Sequence, residues 1–157
     1  MCIRDRPFSV GKGRSISIKN IKKWIKNSKK DYIIFGSKND ITSGMTLEIS
    51  ARENSIKSIC GKFTLRESIA LINLCDSSIA ADSGLGHISA ALGIPTLSFF
   101  GKGNSSVTAP KGLKTHVFEH CNPCLGDKCN LKQNDPTCIE NISNQNVENA
   151  LKKLIDP

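Results

Sequence analysis

Apolar residues along this chain alternate between short continuous runs and stretches in which they recur every three or four positions. The runs "DYIIFGS", ending at Gly36, "SIKSIC", ending at Cys60, "SSIAA", "PTLSFFG" and "KTHVFEH" read as buried strands. Between them, Ile18, Ile21, Trp24 and Ile25 mark one face of a helix whose other face carries lysines. "DITSGMTLEISARENS" is expected to be helical in its second half, with Gly44 weakening the pattern. Thr64 and Glu67 have the spacing of a capping box, and Leu65, Ile69 and Ile72 continue that helix to about Cys75. His87 to Leu92 reads as a short helix closed by Gly93, and Ser143 as the cap of a last helix carrying Val147, Ala150, Leu151 and Leu154 on one face.

Alternating strands and helices with unbroken apolar strands predict an α/β fold, a Rossmann-like parallel sheet with helices on both faces. In such sheets ligands bind outside the carboxyl ends of the strands, at a switch in strand order. The opening "MCIRDR" does not fit this pattern, because "RPFSVGKGR" reads as the loop after a strand that is not there. Residues 1–6 are therefore taken as an unmatched start and residues 7–157 as one domain.

Composition narrows the class further. Of the 157 residues 38% are apolar and 23% charged, ordinary values for a globular domain and far from those of a disordered chain. No stretch has the length of a membrane span and no charged start leads into an apolar run, so the expected location is the cytoplasm. The net charge of +8 includes a cluster at Lys19, Lys22, Lys23, Lys26, Lys29 and Lys30. That cluster is either a solvated helix face or a contact for a polyanion. Aromatic residues make up only 5% and do not interleave with the lysines, so the stacking platforms of single-strand binders are missing.

The candidate chemistry lies in "IAADSGLGHISAALG". Asp82, Ser83, Gly84, Leu85, Gly86 and His87 follow a strand and open into a helix, where exposed N–H groups and the helix dipole attract an anion and glycines let a ligand approach. A phosphate or diphosphate suits that turn. Asp82 then accepts hydrogen bonds from sugar hydroxyls or holds a cation, while Ser83 and His87 donate to phosphate oxygens. An Asp in this position is equally well explained as a helix cap. No Gly-x-Ser-x-Gly elbow, Gly-x-Gly-x-x-Gly fingerprint or Walker-type Gly-Lys-Ser/Thr occurs, and "GKGNSS" after Phe100 matches none of them.

The text from Cys60 to Gly103, "CGKFTLRESIALINLCDSSIAADSGLGHISAALGIPTLSFFGKG", closely resembles the donor-binding half of the ADP-heptose:lipopolysaccharide heptosyltransferases, glycosyltransferase family nine. A weaker resemblance extends from about Pro7 to Leu154. It implies the second of two Rossmann-like domains of a GT-B glycosyltransferase, with the N-terminal acceptor domain absent. The implied reaction is inverting transfer of heptose from ADP-heptose to the lipopolysaccharide core. It needs no cofactor, and its catalytic base belongs to the missing domain, so this piece alone is expected to be inactive. Peripheral contact with the inner membrane is compatible with that role, and no nucleic-acid partner is expected. The resemblance places Asp82, Ser83, Gly84 and His87 at the sugar and diphosphate, Arg14 near the phosphates, Asp40 near the ribose and Phe63 near the adenine. The competing function class is a non-catalytic module that meets membrane or nucleic acid through its basic face.

Cysteines leave alternatives open. Cys121, Cys124, Cys129 and Cys138 run at spacings of two, four and eight residues, and only the first pair has ordinary metal-ligand spacing. A structural metal, disulfides and free thiols all fit, whereas Cys60 and Cys75 read as small core residues.

Overall fold

The computed structural model describes residues 2–6, 15–25, 30–50, 56–101, 103–119, 139 and 142–155. Six parallel strands form one sheet: β1 (Cys2–Arg6), β2 (Asp31–Ile34), β3 (Ile56–Ser58), β4 (Ser77–Ala81), β5 (Thr96–Phe100) and β6 (Thr115–Glu119), in the order β3-β2-β1-β4-β5-β6. The helices are α1 (Ile18–Ile25), α2 (Ile41–Ser50, preceded by a 3-10 turn at Lys38–Asp40), α3 (Leu65–Asn73), α4 (Gly84–Ala91), α5 (Ser105–Thr108) and α6 (Asn144–Ile155). The strand order runs outward from β1 to β3, then restarts at β4 and runs to β6. The switch in direction therefore falls between β1 and β4.

The opening residues correct the sequence reading. Cys2–Arg6 is not outside the fold but supplies the strand that "RPFSVGKGR" lacked, with Asp5 in register with Ile34 of β2 and Ile79 of β4. Parallel pairing is made by the backbone, so a charged pentapeptide can fill a central position that its side-chain pattern does not announce.

Alternation along the central strands builds two cores. Tyr32 and Ile34, Ile79 and Ala81, and Leu97 and Phe99 join one cluster with Ile21, Trp24, Leu47, Val147 and Leu151, so α1, α2 and α6 cover that face. Phe35 joins Ile72, Leu85 and Ile94 on the other face, under α3 and α4. Every residue of β4 and β5 is buried, Ser77, Ser78, Thr96 and Ser98 included, so neither strand has a solvent-facing polar side. On the first face Trp24 stacks on Phe99 at 4.7 Å and Phe99 on Phe118 at 5.0 Å, tying α1 to β5 and β6. Trp24 Nε1 also donates to the carbonyl of Ile142, and the buried Asn20 side chain donates to that of Ile139, so α1 anchors the approach to α6.

α2 and α3 differ from expectation. α2 is helical from Ile41 onward, with Gly44 buried in its interior. A Cβ there would collide with the Ser58 hydroxyl and lie 2.8 Å from Cys60 Sγ, so the glycine is what lets α2 lie on β3. α3 starts on its capping box as predicted, with Glu67 N–H donating to Thr64 Oγ1 at 3.3 Å and Thr64 N–H to Glu67 Oε2 at 2.7 Å. It ends at Asn73, and Leu65, its first residue, expected on the apolar face, is exposed.

Candidate functional site

The carboxyl edge of the sheet gathers the turns that carry the predicted residues. β4 ends at Ala81, Asp82 and Ser83 cross the edge, and α4 begins at Gly84, three residues before the helix start expected at His87. Ser83 is the N-cap in extended conformation, and its carbonyl accepts from Gly86 N–H at 3.0 Å. An N-cap serine ordinarily turns its hydroxyl onto the helix N–H groups. Here it does not: Ser83 Oγ is buried and makes no hydrogen bond among the described residues. The N–H groups of Gly84 and Leu85, in the first turn, have no intrahelical acceptor. One hydroxyl and two backbone donors thus stand together at the positive end of a helix, beside the switch in strand order.

The two glycines of this turn do different work. Gly84 is exposed, and a Cβ on it would meet nothing within 4 Å, so it leaves the approach open. Gly86 is buried, and a Cβ on it would stand 2.9 Å from the Cβ of Ala80, so it serves the packing of α4 on β4 and not ligand approach. Leu85 likewise points its side chain into the core with Phe35, Ile72 and Ile94, leaving only its backbone N–H for the site. Asp82 is half-buried and His87 is exposed one turn into α4.

Asp40 and Phe63 occupy the neighbouring turns after β2 and β3, which touch through Gly61 N–H donating to the Gly36 carbonyl at 3.0 Å. Asp40 Oδ2 accepts from both the N–H and the hydroxyl of Ser37 at 2.7 Å, a capping role for the 3-10 turn. Phe63 is 45% exposed at the entrance to α3. From β3 to β4 is three strand spacings, about 14 Å, so these turns and the β4–α4 turn span the length of an extended dinucleotide-sized ligand along one edge. Arg14 and Cys121, Cys124, Cys129 and Cys138 lie outside the described residues. Among the described residues no three His, Cys, Asp or Glu side chains are grouped to hold a metal.

One feature of this edge escaped the motif reading. Gly103, in the turn after β5, adopts φ +133°, and a Cβ on it would lie 3.8 Å from Asp82 Oδ2. Its sequence signal is a glycine just past the end of a fully buried strand, in "GKGNSS", which matches no phosphate-binding motif.

A doubly wound parallel sheet with an anion-suited turn at its switch point is the architecture of nucleotide-binding α/β domains. The sequence pattern of glycosyltransferase family 9 (heptosyltransferase) matches residues 22–135, and the chain belongs to that family. It is 31% identical over 106 residues to lipooligosaccharide heptosyltransferase 2 of Campylobacter jejuni, an alignment that covers 65% of this chain and 33% of that protein. The structure of the E. coli ADP-heptose lps heptosyltransferase II superposes with a TM-score of 0.80 at 21% identity, over 98% of this chain and 46% of that one. That of the E. coli heptosyltransferase WaaC with ADP does so with a TM-score of 0.75 at 13% identity, over 97% and 43%. The chain therefore spans about a third of the length of its Campylobacter relative and under half of these two structures.

Proposed function

We propose that this chain is the donor-binding part of a heptosyltransferase. It holds the diphosphate and sugar of ADP-heptose while heptose passes to a hydroxyl of the lipopolysaccharide core. The observation that carries this reading is the turn after β4, where Ser83 keeps its hydroxyl off its own helix and Gly84 and Leu85 stand in the first turn, whose N–H groups have no intrahelical acceptor. Three donors so placed suit a diphosphate leaving group. Family membership supplies the sugar class, and the related proteins named for ADP-heptose or held with ADP supply the nucleotide.

In the reaction so assigned, the bond from the anomeric carbon to the diphosphate oxygen breaks with its electron pair going to ADP. A bond from the acceptor oxygen forms on the opposite face, and the acceptor's proton goes to a base. This chain serves the leaving-group side: Ser83, Gly84, Leu85 and His87 meet the diphosphate, Asp82 the sugar hydroxyls, Asp40 the ribose and Phe63 the adenine. The base and the acceptor belong to the part of the enzyme that the longer relatives carry in addition. The enzyme works in the cytoplasm against the inner membrane, where its acceptor is anchored. Among the described residues no helix is long and apolar enough to cross a membrane.

Calorimetric titration with ADP and with UDP tests the assignment. Binding of ADP at least tenfold tighter than UDP is expected, and a preference for UDP would remove the heptose donor from the account.

A further inference from the structure

β5 adjoins β4 on the side away from β1, so the turn after β5 bounds the β4–α4 turn on the side opposite Asp40 and Phe63. If adenine and ribose occupy the β3 and β2 side, the far side is where the transferred sugar must lie. Gly103 stands there against the Asp82 carboxylate, in a backbone conformation that side-chain-bearing residues rarely adopt.

The turn is held from several directions. Asn104 Oδ1 accepts from Ser106 N–H at 3.2 Å and caps α5. Ser105, 7% exposed, donates its hydroxyl to Glu119 at the end of β6. Past α5, the buried Pro110 reaches the start of α4, its Cγ 3.8 Å from the place of a Cβ on Gly86. The segment from Gly103 to Pro110 therefore wraps the β4–α4 turn and is braced to β6.

We propose that Gly103 sets the room for the transferred sugar beside Asp82, and that Ser105 and Glu119 are positioning residues that hold it there. This rests on the donor-binding reading above and extends it to a residue that no phosphate motif includes. A methyl group at Gly103 would narrow the space on the sugar side of Asp82 and strain the turn, while leaving the β2 and β3 turns untouched. The effect must therefore fall on the sugar and spare the nucleotide.

The test titrates the full chain with ADP and, separately, with ADP-heptose. Gly103→Ala is expected to weaken ADP-heptose binding at least fivefold and to change ADP binding less than twofold. Glu119→Ala should give the same selective loss in milder form, and Glu119→Gln, which still accepts from the Ser105 hydroxyl, should restore it. Equal losses for both ligands, or none for either, would overturn the proposal while leaving the donor-binding reading in place. A wild-type chain that binds neither ligand would overturn both. If Gly103→Ala fails to fold, the Glu119 pair decides alone, and absence of a difference between Ala and Gln there counts against the proposal.

Discussion

Gly86 of α4 stands directly against Ala80 of β4: a Cβ on the glycine would come within 2.9 Å of the alanine's methyl carbon, closer than real Cβ atoms approach. Helix and strand are thereby pressed together at the point where the candidate site opens. Gly86→Ala should destabilise the fold by about 1–3 kcal/mol through overpacking, as read by urea denaturation. Gly84→Ala, two residues earlier in open space, should leave stability equal or up to about 1 kcal/mol higher. Equal losses for both would remove the distinction between a packing glycine and an access glycine.

Ser83→Ala separates site from scaffold. Its hydroxyl is buried without a partner among the described residues, so its removal should leave the fold as stable or more so. Affinity for ADP should fall by about tenfold, the worth of one hydrogen bond to a charged oxygen. A drop in stability with unchanged affinity would make Ser83 a structural residue.

The aromatic column Trp24–Phe99–Phe118 joins α1 to two strands, and Phe99 is fully buried at its centre. Phe99→Ala should cost about 3–5 kcal/mol, measured as the shift in denaturation free energy. A loss under about 1 kcal/mol would mean that the column is not part of the cooperative core.

Acid should loosen the fold through two carboxylates. The Thr64 N–H and hydroxyl hold the Glu67 carboxyl below its ordinary value of 4.5. The Ser58 N–H, with help from Lys57, does the same for Glu48. A carboxyl whose folded pKa is depressed stabilises the fold above its unfolded value and loses that contribution as pH falls through the lower, folded one. The melting temperature should therefore show no change from these groups between pH 7 and about 5.5, then fall below about 4.5. The double variant Glu48→Gln, Glu67→Gln should be less stable at neutral pH and show a shallower fall in acid. An unchanged slope would place the acid sensitivity elsewhere.

The parts of the fold that were legible in sequence are those where burial and pattern coincide. β4 and β5 are buried on both faces and so read as short runs of apolar and small residues without a charged side chain, and the Thr64–Glu67 box announced α3 through short-range chemistry alone. Elements fixed by tertiary context were not legible. β1 is a charged segment that enters the sheet by backbone pairing, and Gly44 looks like a helix breaker until β3 is seen against it. In the site, the turn after β4 and its helix were readable from residues 82–87. The inward side chain of Leu85, the packing role of Gly86 and the approach of Gly103 to Asp82 depend on which face of the sheet each residue meets. Period and motif do not encode that.

The central claim is that the β4–α4 turn holds a nucleotide diphosphate, and backbone amide shifts on adding ADP test it most directly. The account predicts the largest changes at Gly84 and Leu85, smaller ones in the turns of Asp40 and Phe63, and none along the exposed lysines Lys19, Lys22 and Lys23 of α1. Changes confined to those lysines, with Gly84 and Leu85 unmoved, would contradict it.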